Sequence, residues 1–264
     1  MTASRTMRLR ALHPDGVGAT DRAIAVEAPV AIEVNGLGYA VMMMTPAALV
    51  EFATGFMLTE RLADSLADIL DIEPFETGQG WIVRVTLARR CADRIGDRVR
   101  HRSSDTGCGL CGIAGLEQVV RPVAARPPLP TVDRAALFAA LDAIRDHQPL
   151  NAATGAIHAA ALCDPAGAVV AAFEDVGRHN ALDKLIGAIA RRGLSVSDGF
   201  ILVTSRVSFE MVDKALVARA PMLVGISAPT TLAIDHAKAH GLTLAALARP
   251  DAMLIVSDPG ERFA

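Results

Sequence analysis

The sequence predicts an α/β fold: a three-layer sheet with helices on both faces, preceded by a smaller β-rich part. From Ala168 onward, apolar runs of strand length alternate with stretches of helix length. Those runs are continuously apolar, as strands covered on both faces are, and regular β–α alternation implies a layered sheet with right-handed crossovers. The first half instead shows short alternating segments broken by turn residues, a β pattern. Composition agrees, since 52% of the 264 residues are apolar, which suits packed strands and helices rather than a disordered chain.

In chain order, Ala23 to Asn35 reads as a strand with Val30, Ile32 and Val34 on one face, Asn35-Gly36 as its turn, and Tyr39 to Met44 as the return strand. The Met42–Met44 run reads as core packing. Thr45-Pro46 opens a helix to about Leu62, Thr45 capping it and Pro46 at its first position. Trp81 to Leu87 alternates as a strand. Arg89 to Asp105 holds six arginines and three aspartates without apolar periodicity and reads as an exposed, mobile loop. Arg121 to Pro130, with four prolines, reads as a linker. Thr131 caps a helix to about Asp146, with Val132, Ala135, Phe138, Leu141 and Ile144 on its apolar face. A short helix follows over 154–162, then a turn at Asp164–Gly167. Strands are expected at 168–173, 200–204, 222–227 and 242–248, and helices at 178–192, 208–220 and 230–240. Three parts result: 1–88, β-rich with one helix; 89–130, loop and linker; 131–264, the α/β part.

A formal net charge of −3 argues against general nucleic-acid binding. No residue run reads as a secretory signal, and the longest uncharged run, Val34 to Val50, is broken as a membrane helix by Asn35, Gly36, Gly38 and Pro46. The four cysteines (91, 108, 111 and 163) therefore read as thiols of a reducing, cytoplasmic compartment.

The most reactive-looking segment is Thr106-Gly-Cys-Gly-Leu-Cys-Gly112. Gly107, Gly109 and Gly112 clear space around the sulfurs and let backbone N–H groups converge on them, which favours a thiolate. Such a thiolate can accept a sulfane sulfur and become a persulfide. A structural zinc site would need two further ligands at regular spacing, and none is present. A zinc deaminase would need H-x-E and P-C-x-x-C; no histidine precedes Glu by two residues, and Gly107 stands in place of the proline. A thioredoxin-like pair would follow a strand and open a helix, whereas this pair follows a charged loop.

Glu174 to Asn180 lies where a strand ends and a helix begins, the edge at which open α/β sheets bind ligands. Arg178 and His179 are candidates there, against the plainer reading of Asp175 as a cap paired with Arg178. Thr204–Ser208 and Ser227–Thr231 occupy the next two strand ends, and their hydroxyls and basic groups suit phosphate oxygens, while Ser208 and Thr230 also suit simple capping. His158 lies in a mostly apolar stretch, where a lone histidine is ordinarily a satisfied core residue.

These segments, with Gly55-Phe-Met-Leu-Thr-Glu60, Thr154-Gly-Ala-Ile-His158, Glu174-Asp-Val-Gly-Arg-His-Asn-Ala181, Ser205-Arg-Val-Ser-Phe-Glu-Met-Val212 and Ser227-Ala-Pro-Thr230, resemble the formate dehydrogenase accessory sulfurtransferase family, FdhD, over nearly the whole length. The resemblance implies a cytidine-deaminase-like sheet and a sulfurtransferase. It would move sulfur from a cysteine desulfurase to the molybdenum (or tungsten) bis-pyranopterin guanine dinucleotide cofactor (Mo-bis(molybdopterin guanine dinucleotide)) destined for formate dehydrogenase. It places the persulfide on Cys108, with Cys111 assisting, and places cofactor contacts on Leu247, Ala248, Arg249, Pro250, Asp251 and Ala252. His158, Arg178, His179, Ser205 and Ser227 complete the expected cofactor set, with no structural metal. A homodimer is expected, since the cofactor has two guanine arms. Ala156, Leu247 and Val256 depart from the residues usual in the family, and Pro250-Asp251-Ala252 is less glycine-rich and less basic than usual. The competing function is a chaperone that shields the cofactor without moving sulfur.

Overall fold

The computed structural model describes residues 2–96, 103–104 and 125–264. Strands β1 (Ser4–His13) and β2 (Gly16–Ala25) form an antiparallel ribbon of their own, mostly exposed. A second sheet is built from β3 (Ala28–Val34), β4 (Leu37–Met44), β5 (Ile69–Thr77), β6 (Gly80–Leu87) and β7 (Ser103–Ser104), in the order β5-β6-β3-β4-β7. The β3–β4 turn is Asn35-Gly36, both at positive φ (49° and 79°), as a two-residue hairpin of this twist requires. Helix α1 (Leu49–Thr59) lies on this sheet, burying Phe52, Phe56 and Met57 against Val30, Ile32, Val34, Val83 and Val85.

The third sheet contains β8 (His158–Cys163), β9 (Val169–Asp175), β10 (Phe200–Val203), β11 (Met222–Gly225), β12 (Thr243–Ala246) and β13 (Leu254–Ser257), ordered β13-β12-β11-β10-β8-β9. Only β10, β11 and β12 run parallel; β8, β9 and β13 make it a mixed sheet. Its side chains alternate between two helical layers. Leu162, Ile201, Val203, Leu223 and Leu244 meet α5 (Arg178–Arg192), α6 (Phe209–Val217) and α7 (Thr231–His240). Ala161, Phe200, Leu202, Val224 and Ala245 meet α3 (Arg134–Ala143) and the 3-10 turn Ile144–His147. The three-layer α/β expectation therefore holds for this part.

Several local expectations are corrected. Thr45 does not cap a helix: α1 starts at Leu49 after Ala48 at φ 52°. Thr45 is instead consumed by the other half of the chain. Its N–H donates to Asp175 Oδ2 (3.1 Å), its carbonyl accepts from Lys184 Nζ (3.0 Å) and its hydroxyl accepts from Val176 N–H (3.2 Å). Asp133, not Thr131, caps α3, accepting from Ala136 N–H at 2.9 Å, and the buried stripe shifts to Ala136, Leu137, Ala140 and Leu141. The helix expected over 154–162 is replaced by α4 (Pro149–Thr154), ended by Gly155 at φ 72°, and by strand β8. Ala159–Ala161 have helical propensity, but the gap between β9 and β10, buried on both faces, decides for a strand. The charged segment from Arg89 is not a loop at its start. A 3-10 turn (Arg89–Cys91) and α2 (Ala92–Gly96) bury Cys91 and Ile95, while Arg90 pairs with Asp68 (2.7 Å) and Arg94 with Asp64 (2.8 Å). Strands β1, β2, β5 and β13 are additions to the sequence reading. Among the described residues no helix is long and apolar enough to cross a membrane.

The two large sheets are joined through α1 and α5, which cross at glycines. A Cβ on Gly55 would lie 1.9 Å from the Asp183 carbonyl oxygen, and one on Gly187 would lie 1.8 Å from that of Glu51. Gly187→Ala is therefore expected to cost about 3 kcal/mol or to abolish folding by overpacking. Gly38→Ala, where nothing lies within 4 Å of the new carbon, should leave the urea midpoint nearly unchanged.

Candidate functional site

One edge of the third sheet collects the candidate residues. The C-terminal ends of β10, β11 and β12 meet there, and because β8 is antiparallel its first residue, His158, lies at the same edge, opposite Asp175 in register. Helices α5, α6 and α7 start from this edge. A cleft of about 580 Å³ opens between the edge and the α3–α4 layer. The sheet side contributes His158, Thr204, Ile226, Ala248, Arg249 and Pro250; the helix side contributes Leu141, Asp142, Ile144, Arg145, Gln148 and Asn151, and Ile157 closes one end.

Both walls are held by specific bonds. Glu174 caps α4, its two oxygens accepting from Leu150 N–H (2.9 Å) and Asn151 N–H (2.7 Å). Thr204 Oγ1 accepts from Ala159 N–H (2.9 Å). After β12 the chain turns sharply, with Leu247 at φ 51°. Leu247 N–H donates to Ser227 O (3.1 Å), Ala248 N–H to Gly225 O (3.2 Å) and Arg249 N–H to Ala252 O (2.8 Å). The Arg249 guanidinium donates to the carbonyls of Ile226 and Ala248, which hooks this turn over the end of β11.

Of the expected cofactor residues, the cleft thus gathers His158, Ala248, Arg249 and Pro250. Asp251 and Ala252 are in the exposed turn beyond. Leu247 and Ser227 serve the backbone hook, and the buried Ser205 hydroxyl donates to Arg206 O (3.0 Å). Arg178 and His179 start α5 outside the cleft lining. Asp142, Arg145, Gln148, Asn151 and Thr204 were missed as site residues. The first two read as an ordinary helix face, and only the packing of α3 beside the sheet edge aims that face into a cleft.

The electrostatics are positive. Burial, followed by the charges of Arg178 and Arg206, pulls the His158 imidazole below the ordinary histidine range. Burial, followed by Arg178, Lys214 and His158, does so more strongly for His179. His179 Nε2 lies 3.1 Å from Glu210 Oε2 and 3.4 Å from Ser208 Oγ, and its buried Nδ1 has no hydrogen-bond partner among the described residues. Neither described cysteine is a nucleophile at neutral pH. Burial pushes the Cys163 thiol up to about 12, and burial together with the hydrogen bond to Asp68 raises Cys91. Cys108 and Cys111 lie outside the described residues. Among the described residues no group of three or more His, Cys, Asp or Glu is placed to hold a metal ion.

The fold and the edge cleft define a mixed α/β protein with a ligand-sized site, and comparison with known proteins gives its kin. Residues 25–263 match the model of the FdhD/NarQ family. A sulfur carrier protein FdhD of Bordetella parapertussis is 44% identical over 262 residues, covering 97% of this chain and 93% of that protein. One of Agrobacterium fabrum is 46% identical over 240 residues, covering 89% and 88%. A crystal structure described as a formate dehydrogenase accessory protein of Desulfotalea psychrophila superposes with a TM-score of 0.76 at 25% identity, covering 98% of this chain and 99% of that one. The chain belongs to the FdhD/NarQ family.

The depressed histidines predict a pH dependence. A histidine whose folded pKa lies below its unfolded value of about 6.5 binds its proton preferentially in the unfolded chain. Its stabilising effect is present above about pH 7 and is lost as the pH falls through 6.5. Urea midpoints should therefore fall between pH 7.5 and 5.5, and His179→Gln should flatten that slope.

Proposed function

We propose that this chain is a sulfur carrier that receives sulfane sulfur on Cys108 from a cysteine desulfurase. It passes that sulfur to a molybdenum or tungsten bis-pyranopterin guanine dinucleotide destined for formate dehydrogenase. The observation that carries the reading is the division of labour among the thiols: Cys91 and Cys163 are buried and held protonated, which leaves the glycine-flanked pair for nucleophilic work. Membership of a family whose relatives are named sulfur carriers supports it.

The chemistry is thiol–persulfide exchange. The Cys108 thiolate attacks the outer sulfur of the donor persulfide, forms a new S–S bond, and releases the donor thiolate. Attack by the Cys111 thiolate on the inner sulfur then expels the outer sulfur as sulfide toward the cargo metal and leaves a Cys108–Cys111 disulfide. The cargo itself is bound by its nucleotide. A cleft of about 580 Å³ is of the size that takes a single small ligand, and Arg145 and Arg249 offer charge for phosphate oxygens. One cleft would hold one guanine arm, and a two-fold dimer would supply the second. A cytoplasmic setting and the cytidine-deaminase-like description of the mixed, helix-flanked sheet belong to the same proposal.

Cys108→Ala should show no added sulfur atom by mass spectrometry after incubation with a loaded desulfurase, and should fail to restore formate dehydrogenase activity in a deletion strain. Restoration by that variant would sink the carrier assignment and leave the chaperone role. Arg249→Ala should weaken binding of guanosine diphosphate about tenfold or more by calorimetry while leaving sulfur loading on Cys108 intact.

A further inference from the structure

The helix side of the cleft carries a donor–acceptor pattern that the reading above does not use. Asp142, from α3, is the one carboxylate among the residues lining the cleft. Asn151, from α4, lines it too, and the orientation of its amide is decided by its neighbours. Asn151 Oδ1 accepts from Ile157 N–H at 3.2 Å, a bond only the oxygen end can make. The nitrogen end is therefore a fixed donor. Its place is held further by Glu174 Oε1, which accepts the Asn151 backbone N–H at 2.7 Å.

A carboxylate and an amide donor on one wall match one purine edge. Guanine presents N1–H and the N2 amino group, which a carboxylate accepts with its two oxygens, and O6, which an amide N–H satisfies. Adenine presents a lone pair at N1 toward the carboxylate and an amino donor toward the amide N–H, wrong at both places. Hypoxanthine keeps N1–H and O6 but lacks the amino group. Xanthine replaces that group by a carbonyl, an acceptor facing an acceptor.

We infer that Asp142 and Asn151 are the base-reading pair of the cleft and select guanine over other purines. The inference rests on the reading of the cleft as a nucleotide site. Discrimination arises because the wrong base leaves polar groups unpaired in an enclosed site.

The test is calorimetric titration of the full chain with guanosine, inosine, adenosine and xanthosine diphosphates. The wild-type chain should bind guanosine diphosphate best, inosine diphosphate next, and the other two weakly. Asp142→Asn is nearly isosteric at an exposed position; it should weaken guanosine diphosphate about ten- to a hundredfold. It should also bind xanthosine diphosphate more tightly than guanosine diphosphate, because the new amide donates to the C2 carbonyl. Asn151→Asp keeps an oxygen for Ile157 N–H but loses the donor, so guanosine and inosine diphosphates should weaken together. Unchanged unfolding temperatures would show that both variants are folded. If wild type binds guanosine diphosphate and Asp142→Asn keeps that preference without gaining xanthosine diphosphate, the base-reading pair is wrong while the nucleotide site stands. If wild type binds no guanine nucleotide, the reading of the cleft fails and the inference falls with it.

Discussion

The architecture depends on one buried carboxylate. Asp175 is fully inaccessible and accepts from Thr45 N–H, Gly177 N–H (2.7 Å), Asn180 Nδ2 (3.2 Å) and Lys184 Nζ (2.5 Å). Burial pushes its carboxyl up and the Lys184 amine down, and their mutual contact opposes both shifts. A charge in such a place is tolerated only with its whole partner set. That set spans both halves of the chain. Thr45 follows β4 of the second sheet, whereas Asp175 ends β9 of the third, opposite His158. Lys184 also donates to Thr45 O and Glu174 O, and Glu174 in turn caps the helix that walls the cleft. Geometry set at Asp175 is thus passed to the site through two residues.

A second buried cluster closes the same seam from the other end of α1. Lys214 donates to Thr59 (2.9 Å) and to both oxygens of Asp183 (2.8 and 2.9 Å), and Arg61 makes a two-pronged pair with Asp213 (2.8 and 2.9 Å). Burial works against the Lys214 charge, but Asp183, Glu60 and Glu210 outweigh it and hold the amine above the usual lysine range. Two buried ionic clusters flanking a glycine crossing leave α1 and α5 little freedom to slide. The sheet edge and the helix wall of the cleft consequently sit on a rigid frame, as a binding site needs.

This frame changes the meaning of the charged motif at Glu174–Asn180. Its position at a strand end is the one at which ligands bind in open sheets, and that location is right. Most of its residues nevertheless serve the frame: Glu174 caps α4, while Asp175 and Asn180 hold the Thr45 segment, Asn180 Nδ2 also donating to Met43 O. Arg178 and His179 act on the site through their electrostatic influence on His158 and on each other. The side chains facing the cleft come instead from α3, α4 and the turn after β12.

What the sequence determined alone is what local chemistry settles: the Asn35-Gly36 hairpin, the Asp164–Gly167 turn, α5 at 178–192, the β–α alternation from β9 onward, and the reactive appearance of the Cys108 pair. These follow from turn residues, apolar periodicity and glycine spacing within a few positions. Tertiary structure decided the rest. Thr45 had the signature of a cap but was claimed by a carboxylate 130 positions away. Ala159–Ala161 became strand because the gap between β9 and β10 admits small side chains on both faces. Asp142 and Asn151 became cleft residues only when α3 and α4 packed beside the sheet edge. Long-range burial and ion pairing override local preference in these places because an unpaired buried charge costs more than a misplaced cap or a weak propensity.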